Sequence, residues 1–204
     1  MDKLKVPTLN SAKEILLDAS HLNPGPWIKH SEFVALAAKN IARECDNIDE
    51  NVAYIVGLLH DIGRRYGFSH IKHILDGYNF MCELGYPFSA QIALTHSFSI
   101  KNYREYFGTI DCSQEELFFL EKYLQKVEYT PYDELIQLCD ALALPTGFCL
   151  LEKRMVDVFL RHGSTEFMQE KWLKTFEIKK KFEKLMGVEI YSILPGVIGN
   201  TFSN

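Results

Sequence analysis

The feature that most constrains this chain is an imidazole and a carboxylate placed side by side at the end of an apolar run. His60 and Asp61 directly follow the apolar residues 54–59. Burying either group is costly unless something pairs with it. A divalent metal would pair with both, because a neutral imidazole and an ionised carboxylate are standard nitrogen and oxygen ligands. The run therefore predicts a buried metal site whose other ligands lie elsewhere in the sequence.

Helix signals dominate the chain, and nothing comparable marks strands. Residues 11–14 and 113–116 fit the capping box, and Thr130 followed by Pro131 fits a helix start. We therefore predict an all-α fold. Its helices are expected over residues 11–20, 26–45, 50–62, 70–84, 88–97, 114–127, 131–144, 149–162 and 165–186. The breaks at residues 23–26 and 145–147 are interpreted as turns between helices.

Length and hydropathy predict one domain, residues 1–204. A chain of 204 residues with 47% apolar composition can fill one core and is rather short for two. It has no apolar run long enough to span a bilayer, and residues 1–7 lack the apolar segment of a signal peptide. A soluble, cytoplasmic protein is therefore expected.

Cysteine usage and net charge exclude several other classes of function. Five cysteines with no Cys-x-x-Cys spacing argue against a disulfide framework and against a thiolate zinc site. A net charge of -5 gives no general attraction to nucleic-acid polymers or anionic membranes. A phosphate-bearing ligand would therefore need a local site.

Four more ligand-type side chains fall on the apolar faces of predicted helices. His30 shares its helix face with apolar residues at the expected spacing, namely Val34, Ala37, Ala38 and Ile41. The same test selects His73, His96 and Asp140. With His60 and Asp61 they make six such side chains on five predicted helices. Since the chain offers no matching set of buried cations for the two aspartates, the set favours metal ligation over internal ion pairs.

The same test leaves some histidines ambiguous. His70 lies three residues before His73 on the same side and could replace or assist it, although His73 is preferred. His162 and His21 lie at predicted helix ends, where a histidine favourably meets the negative end of the helix dipole. They are not expected to be ligands.

The spacing of these residues resembles that of a known superfamily. His30, the His60-Asp61 pair, Gly63 and the distant Asp140 resemble the signature of the HD superfamily of metal-dependent phosphohydrolases. The segment from His60 to His96 is similar to the subset that binds two metals through extra histidines. The resemblance implies a helical HD-domain bundle with its core motifs between residues 26 and 145.

The resemblance also implies a distribution of ligands between two metals. The first metal would be held by His30, His60, Asp61 and Asp140. The second would be held by Asp61, His73 and His96, so that Asp61 bridges the two. Four histidine ligands favour transition metals such as manganese, iron, cobalt or nickel over magnesium. Metal-bound hydroxide would then attack phosphorus.

Two local patterns bear on the subgroup within the superfamily. Gly85-Tyr86-Pro87 spells the letters of the HD-GYP phosphodiesterases, but it precedes His96 and is interpreted as a turn. The pattern is closer to that of small stand-alone members acting on dinucleoside polyphosphates, in which a hydroxyl residue follows the histidine at the position of His96. Ser97 takes that place here.

Cations near the ligands are candidates for binding substrate phosphates. Arg64 and Arg65 follow the metal motif, and Lys101 and Arg104 follow His96. Asp61 and Arg64 are the predicted catalytic residues. Two further groups could contribute or could be ordinary packing and surface residues: the aromatic Tyr103, Tyr106 and Phe107, and the basic Lys153 and Arg154.

Three functions compete on this sequence. The leading one is a two-metal phosphohydrolase acting on a nucleotide or another small phosphorylated substrate. The second is a mixed-valence di-iron oxygenase, since myo-inositol oxygenase and its relatives use a similar ligand set on an HD-like fold. The third is a non-catalytic nucleotide-binding HD module. The sequence leaves open the substrate, the metal and the oligomeric state.

Overall fold

The computed structural model describes residues 4–202 and consists mainly of helices. The helices are α1 (Leu9–Leu22), α2 (Pro26–Arg43), α3 (Glu50–Leu59), α4 (Lys72–Glu83), α5 (Pro87–Thr95), α6 (Gln114–Lys126), α7 (Pro131–Leu142), α8 (Leu151–His162), α9 (Met168–Met186) and α10 (Val197–Phe202). Short 3-10 helices cover Ile62–Tyr66, Tyr103–Glu105 and Ile190–Ser192. The predicted all-α class is confirmed.

Several predicted boundaries were wrong. The helix predicted over 131–144 ends at Leu142, because the chain continues into an antiparallel hairpin of β1 (Ala143–Leu144) and β2 (Gly147–Phe148). Its turn at 145–147 uses Gly147, whose φ of +142° suits glycine. The last long helix begins at Met168 rather than at 165, and α10 was not predicted.

The helix starts follow the predicted capping chemistry at two of three places. Ser113 and Thr130 form capping boxes with Glu116 and Asp133. The box predicted at residues 11–14 is not the start of α1, which begins at Leu9. There the Thr8 hydroxyl oxygen accepts a hydrogen bond from the Ser11 backbone N–H at 3.2 Å. The hydroxyl of Thr8, rather than that of Ser11, therefore caps the first turn of α1.

The helices α2 and α3 pack with their backbones in close contact. A Cβ added at Gly57 would lie 2.8 Å from Cα of Ala35, so only glycine fits there. This approach brings the rings of His30 and His60 to a centroid distance of 5.3 Å. Both helices contribute to an apolar cluster with α7 and α9, formed by residues such as Val34, Ile41, Val56, Ile136, Ile178 and Phe182.

A buried polar network ties α5 to the start of α7. The Asp133 carboxylate accepts a hydrogen bond from the Thr95 hydroxyl at 2.6 Å and one from the Gln91 amide at 3.0 Å. The same carboxylate accepts the Thr130 backbone N–H at 2.8 Å. Because Asp133 is fully buried, each of these donors compensates for lost solvation. The network fixes the end of α5, which is directly followed by His96.

No helix in residues 4–202 is long and apolar enough to cross a membrane.

A second close backbone contact joins the 3-10 helix after Asp61 to α4. A Cβ added at Gly63 would lie 1.9 Å from the His73 carbonyl oxygen and 2.4 Å from the Gly77 backbone nitrogen. Backbone atoms cannot move away as a flexible side chain can. The glycine after the His60-Asp61 pair is therefore required by the approach of the segment that carries His73.

We predict that Gly63→Ala lowers the free energy of unfolding by roughly 1–3 kcal/mol or more, since the added methyl group overlaps backbone. Thermal and urea unfolding measure the effect. Gly199→Ala is the matched control, because its Cβ meets no atom within 4 Å among residues 4–202 and alanine favours the helix. Equal stability of the two variants would show that the contact at Gly63 is looser than the structure has it.

Candidate metal centre

Three histidines are oriented in the same way by their own backbone. The His60 Nδ1–H donates to the Gly57 carbonyl oxygen at 2.7 Å, and that of His96 donates to the Ala93 carbonyl oxygen at 2.9 Å. His73 makes the corresponding bond to the His70 carbonyl. His60 and His96 directly follow α3 and α5, where the last carbonyls lack intrahelical partners. With Nδ1 used as a donor, each Nε2 presents its lone pair to a common centre.

Asp61 lies at that centre. Its Oδ1 is 3.0 Å from Nε2 of His73 and 3.7 Å from Nε2 of His96. Its Oδ2 is 3.9 Å from Nε2 of His60. The backbone of Asp61, at φ −99° and ψ 15°, leaves the α-helical region, which ends α3 and turns the carboxylate inward. One carboxylate is thus shared by histidines from three different segments.

The Nε2 atom of His60 is buried and has no hydrogen-bond partner among residues 4–202. Its nearest charged oxygens are on Asp61 at 3.9 Å and on Asp140 at 4.0 Å. A lone pair that faces two carboxylates without a donor is unfavourable unless a cation lies between them. This atom is the clearest indication that the site is built for a metal ion.

Two groups of residues have the geometry of metal ligands. Donor atoms of His30, His60 and Asp61 all lie within 4.8 Å of one another, and so do those of Asp61, His73 and His96. Asp140 adjoins the first group, with its Oδ1 2.8 Å from Nε2 of His30. The six residues selected from the sequence therefore come together, each of the two groups could hold a metal ion, and Asp61 belongs to both.

Electrostatics in the centre favour the protonation states that metal ligands need. Burial lowers the pKa of His60, and it lowers the pKa of His96 to about 3, so both rings are neutral at pH 7. Burial by itself would raise the pKa of Asp61, but Arg64, His60 and His73 hold it well below its usual range. For Asp140, the hydrogen bond from His30 likewise outweighs burial and lowers the pKa. Neutral imidazoles and ionised carboxylates bind metal without first losing protons.

The expectation that the two aspartates have no matching set of buried cations needs correction for Asp61. Nε of Arg64 lies 2.6 Å from its Oδ2. Arg64 reaches back three residues across the 3-10 turn to form this pair. The pair stabilises one oxygen of Asp61 but leaves Nε2 of His60 without a partner.

The structure places the ring of His73, and not that of His70, beside Asp61. His73 faces Asp61, whereas the ring of His70 lies 6.2 Å from that of His162. The contribution of His70 is its backbone carbonyl, which accepts the His73 ring N–H. Asp111 holds this turn, because its carboxylate accepts the backbone N–H groups of His70 at 2.7 Å and of Lys72 at 2.9 Å. No motif in the sequence indicated this role of Asp111.

The ligand cluster forms the floor of a cavity of about 450 Å³. Helices α8 and α9 supply the opposite wall with Arg154, Met155, Asp157, Val158, Arg161, His162, Lys171, Trp172 and Thr175. Aromatic side chains of Trp27, Tyr106 and Phe107 complete the lining. A cavity of this size accommodates a small ligand.

The cations predicted to bind substrate are distributed differently from the expectation. Arg64 lines the cavity, but three others do not. Arg65 stacks on Phe80 at 3.8 Å, and the Lys101 ammonium donates to the Val127 carbonyl oxygen at 2.7 Å. Arg104 is solvent-exposed with its guanidinium 4.0 Å from Glu166. For these three, proximity in sequence to a ligand was a poor guide to position.

Two cavity cations, Arg161 and Lys171, were not predicted from the sequence. A third, Arg154, was considered there as a residue that could contribute to the site. Lys171 is held in place by Glu105, which is fully buried and 3.5 Å away, and it donates to the Ser97 carbonyl oxygen at 2.6 Å. In the sequence, Arg161 and Lys171 have the pattern of ordinary charged residues on a helix surface. Only the packing of α8 and α9 over the cavity distinguishes them.

The chain is similar to proteins of a known family. A family model described as the HD domain matches residues 27–144, which confirms the resemblance based on the His60-Asp61 motif. The crystal structure of the HD domain of the L. monocytogenes phosphodiesterase PgpH is similar, with 17% sequence identity and a TM-score of 0.46. The alignment covers 85% of this chain and 95% of that chain. No curated protein matches the sequence.

We predict that Asp61→Asn removes both metals, whereas His73→Ala or His96→Ala lowers the content toward one ion per chain. Alanine at His30 is expected to weaken the other ion, since it adjoins Asp140 in the first group. The measurement is metal stoichiometry by elemental analysis after dialysis. Loss of outer-shell geometry alone typically costs 10–100-fold in metal affinity, so loss of a ligand should cost at least as much.

His21→Ala is the matched control for that series, because His21 is exposed at the end of α1. It should keep the full metal complement. A full complement in Asp61→Asn as well would contradict the assignment of a shared carboxylate.

Proposed function

The chain belongs to the HD-domain family, and we propose that it is a metal-dependent phosphohydrolase acting on a nucleotide or another small phosphate ester. The observation that carries the proposal is the buried Nε2 of His60, which faces two carboxylates without a hydrogen-bond donor. It lies among two ligand groups that share Asp61. We propose two divalent ions per chain, with manganese, iron, cobalt and nickel favoured by the four imidazoles.

The charge of the cavity supports an anionic substrate. The lining includes four cations, Arg64, Arg154, Arg161 and Lys171. Its acids are Asp61, Asp140 and Asp157, and the first two are proposed ligands. Two divalent ions in addition would make the cavity strongly positive. Such a cavity attracts an anionic phosphate ester more strongly than a neutral polyol.

Each residue at the floor then has a defined task. When bound, divalent ions would neutralise charge on the phosphoryl oxygens and lower the pKa of water. Asp61 would hold the two positions at a fixed separation. Arg64, 2.6 Å from that carboxylate and about a quarter exposed to the cavity, is placed to donate to a phosphoryl oxygen. Burial lowers the pKa of His60 and of His96, so these two rings stay neutral.

Aromatic side chains support a nucleotide over a simple phosphate ester. Trp27 and Trp172 line the cavity together with Tyr106 and Phe107. An aromatic ring can stack on a nucleobase, and the stacking is tolerant of which base is bound. The substrate would therefore place its phosphates at the floor and its base against these rings.

We predict that the manganese form releases phosphate from nucleotides in the absence of oxygen. Hydrolysis needs water and no redox change, whereas a di-iron oxygenase needs redox-active iron and oxygen. A phosphate-release screen over nucleotides and phosphate monoesters, run in air and anaerobically, measures this. Arg64→Ala should reduce kcat/KM by about 10²–10³ because a charged donor to the transition state is lost.

Arg65→Ala is the matched control, since its guanidinium packs on Phe80 outside the cavity. It should retain most of the activity. Oxygen-dependent turnover by the iron form, with no hydrolysis across the panel, would overturn the proposal in favour of the oxygenase.

A further inference from the structure

The outer wall of the cavity carries charge that the family match does not explain. Helix α8 lies beyond residues 27–144. It lines the cavity with Arg154, Val158 and Arg161, which follow one another at the i, i+4 and i+7 positions of one helix face. This wall therefore lies outside the part of the chain that the family model matches.

Two of the four cavity cations are already engaged by carboxylates. Arg64 contacts Asp61 at 2.6 Å, and Lys171 contacts Glu105 at 3.5 Å. Arg154 and Arg161 differ, because neither has a carboxylate oxygen within 4.0 Å among residues 4–202. Their guanidinium groups face the cavity with hydrogen-bond donors available for a ligand.

The electrostatic environment of this wall is unbalanced. Burial lowers the pKa of Arg161, and the neighbouring Arg154 lowers it further, with Asp157 as the opposing acid. Burial also lowers the pKa of His162, together with Arg161, His70 and Arg154. Like charges held this close raise the free energy of the unliganded wall. A bound anion would relieve that repulsion.

The two arginines lie at different depths. Arg154 is half-buried and lines the cavity together with Asp140. Arg161 lies seven residues on, roughly 10 Å along the helix axis at 1.5 Å per residue, and is the more exposed of the two arginines. A phosphate ester with one anionic group at the floor would leave Arg161 without a partner. A chain of phosphates extending toward the mouth would meet both.

We propose that Arg154 and Arg161 form a second anion subsite, so that the substrate carries at least two linked phosphate groups, as in a nucleoside di- or polyphosphate. This inference rests on the proposed phosphohydrolase function and names its substrate class. The planar guanidinium forks would bind the outer phosphates through paired charge-assisted hydrogen bonds. The innermost phosphate would remain at the ligand cluster beside Arg64.

Binding of non-hydrolysable probes tests the subsite separately from turnover. The probes are methylphosphonate, with one anionic group, and bis(phosphonomethyl)phosphinate, a methylene-bridged analogue of triphosphate. The chain has two tryptophans, Trp27 and Trp172, and both line the cavity, so quenching of intrinsic fluorescence reports occupancy. Calorimetry on the full chain as purified checks the affinities.

Arg154→Gln and Arg161→Gln should each lower the affinity for the triphosphate analogue about tenfold, since each variant loses charge-assisted hydrogen bonds. The affinity for methylphosphonate should fall by less than about threefold, because its single anionic group binds at the ligand cluster. Lys153→Gln is the matched control, with the same change in charge on the same helix but outside the cavity lining. It should leave both affinities within about twofold.

Three outcomes would overturn the subsite: unchanged affinity for the analogue in both arginine variants, an equal loss in Lys153→Gln, or no binding of either probe by the unmodified chain. Thermal unfolding confirms that each variant is folded. Failure of the phosphohydrolase proposal is recognised differently, as absence of phosphate release from any ester. The difference between the affinities for the two probes can be measured whether or not phosphate is released from any ester.

Discussion

The structure depends on keeping the carboxylate of Asp61 ionised in a buried position. Burial opposes its charge, so neighbouring groups must compensate. Arg64 does so on one oxygen at 2.6 Å, while the other oxygen faces the Nε2 lone pairs of His73 and His96, an arrangement that a cation between them would stabilise. Gly57 and Gly63 permit the close backbone approaches that bring these segments together. The ends of three helical segments thus meet around one side chain.

Helix ends are the local device that orients the ligands. A helix that stops leaves carbonyl oxygens without partners, and a histidine at that point can satisfy one through Nδ1. His60 and His96 each do this with the carbonyl three residues earlier. The other nitrogen then points away from the backbone and into the centre. Fold and site geometry are therefore consequences of the same unsatisfied backbone groups.

How much of this could be predicted from sequence differs between the floor and the wall. The floor residues were identifiable because a polar side chain on an apolar helix face is a local anomaly, and His30 and Asp140 both showed it. Arg161 and Lys171 show no such anomaly, since a charged residue on an amphipathic helix is the common case. Their position depends on the hairpin at 143–148 and on contacts such as Lys171 with Glu105. Lys101 and Arg104 were predicted to bind substrate because they follow His96 in sequence. In the structure their side chains contact Val127 and Glu166 instead, and neither residue lines the cavity.

We propose that two metal ions share the Asp61 carboxylate, and anomalous scattering from crystals grown with manganese tests this most directly. The account predicts two anomalous peaks on opposite sides of the Asp61 carboxylate, one about 2.0–2.3 Å from Nε2 of His60 and the other at a similar distance from Nε2 of His73 and His96. The Arg64 guanidinium should still lie beside the carboxylate or contact a bound anion. Absence of any peak at the centre, with Asp61 paired only to Arg64, would contradict the account.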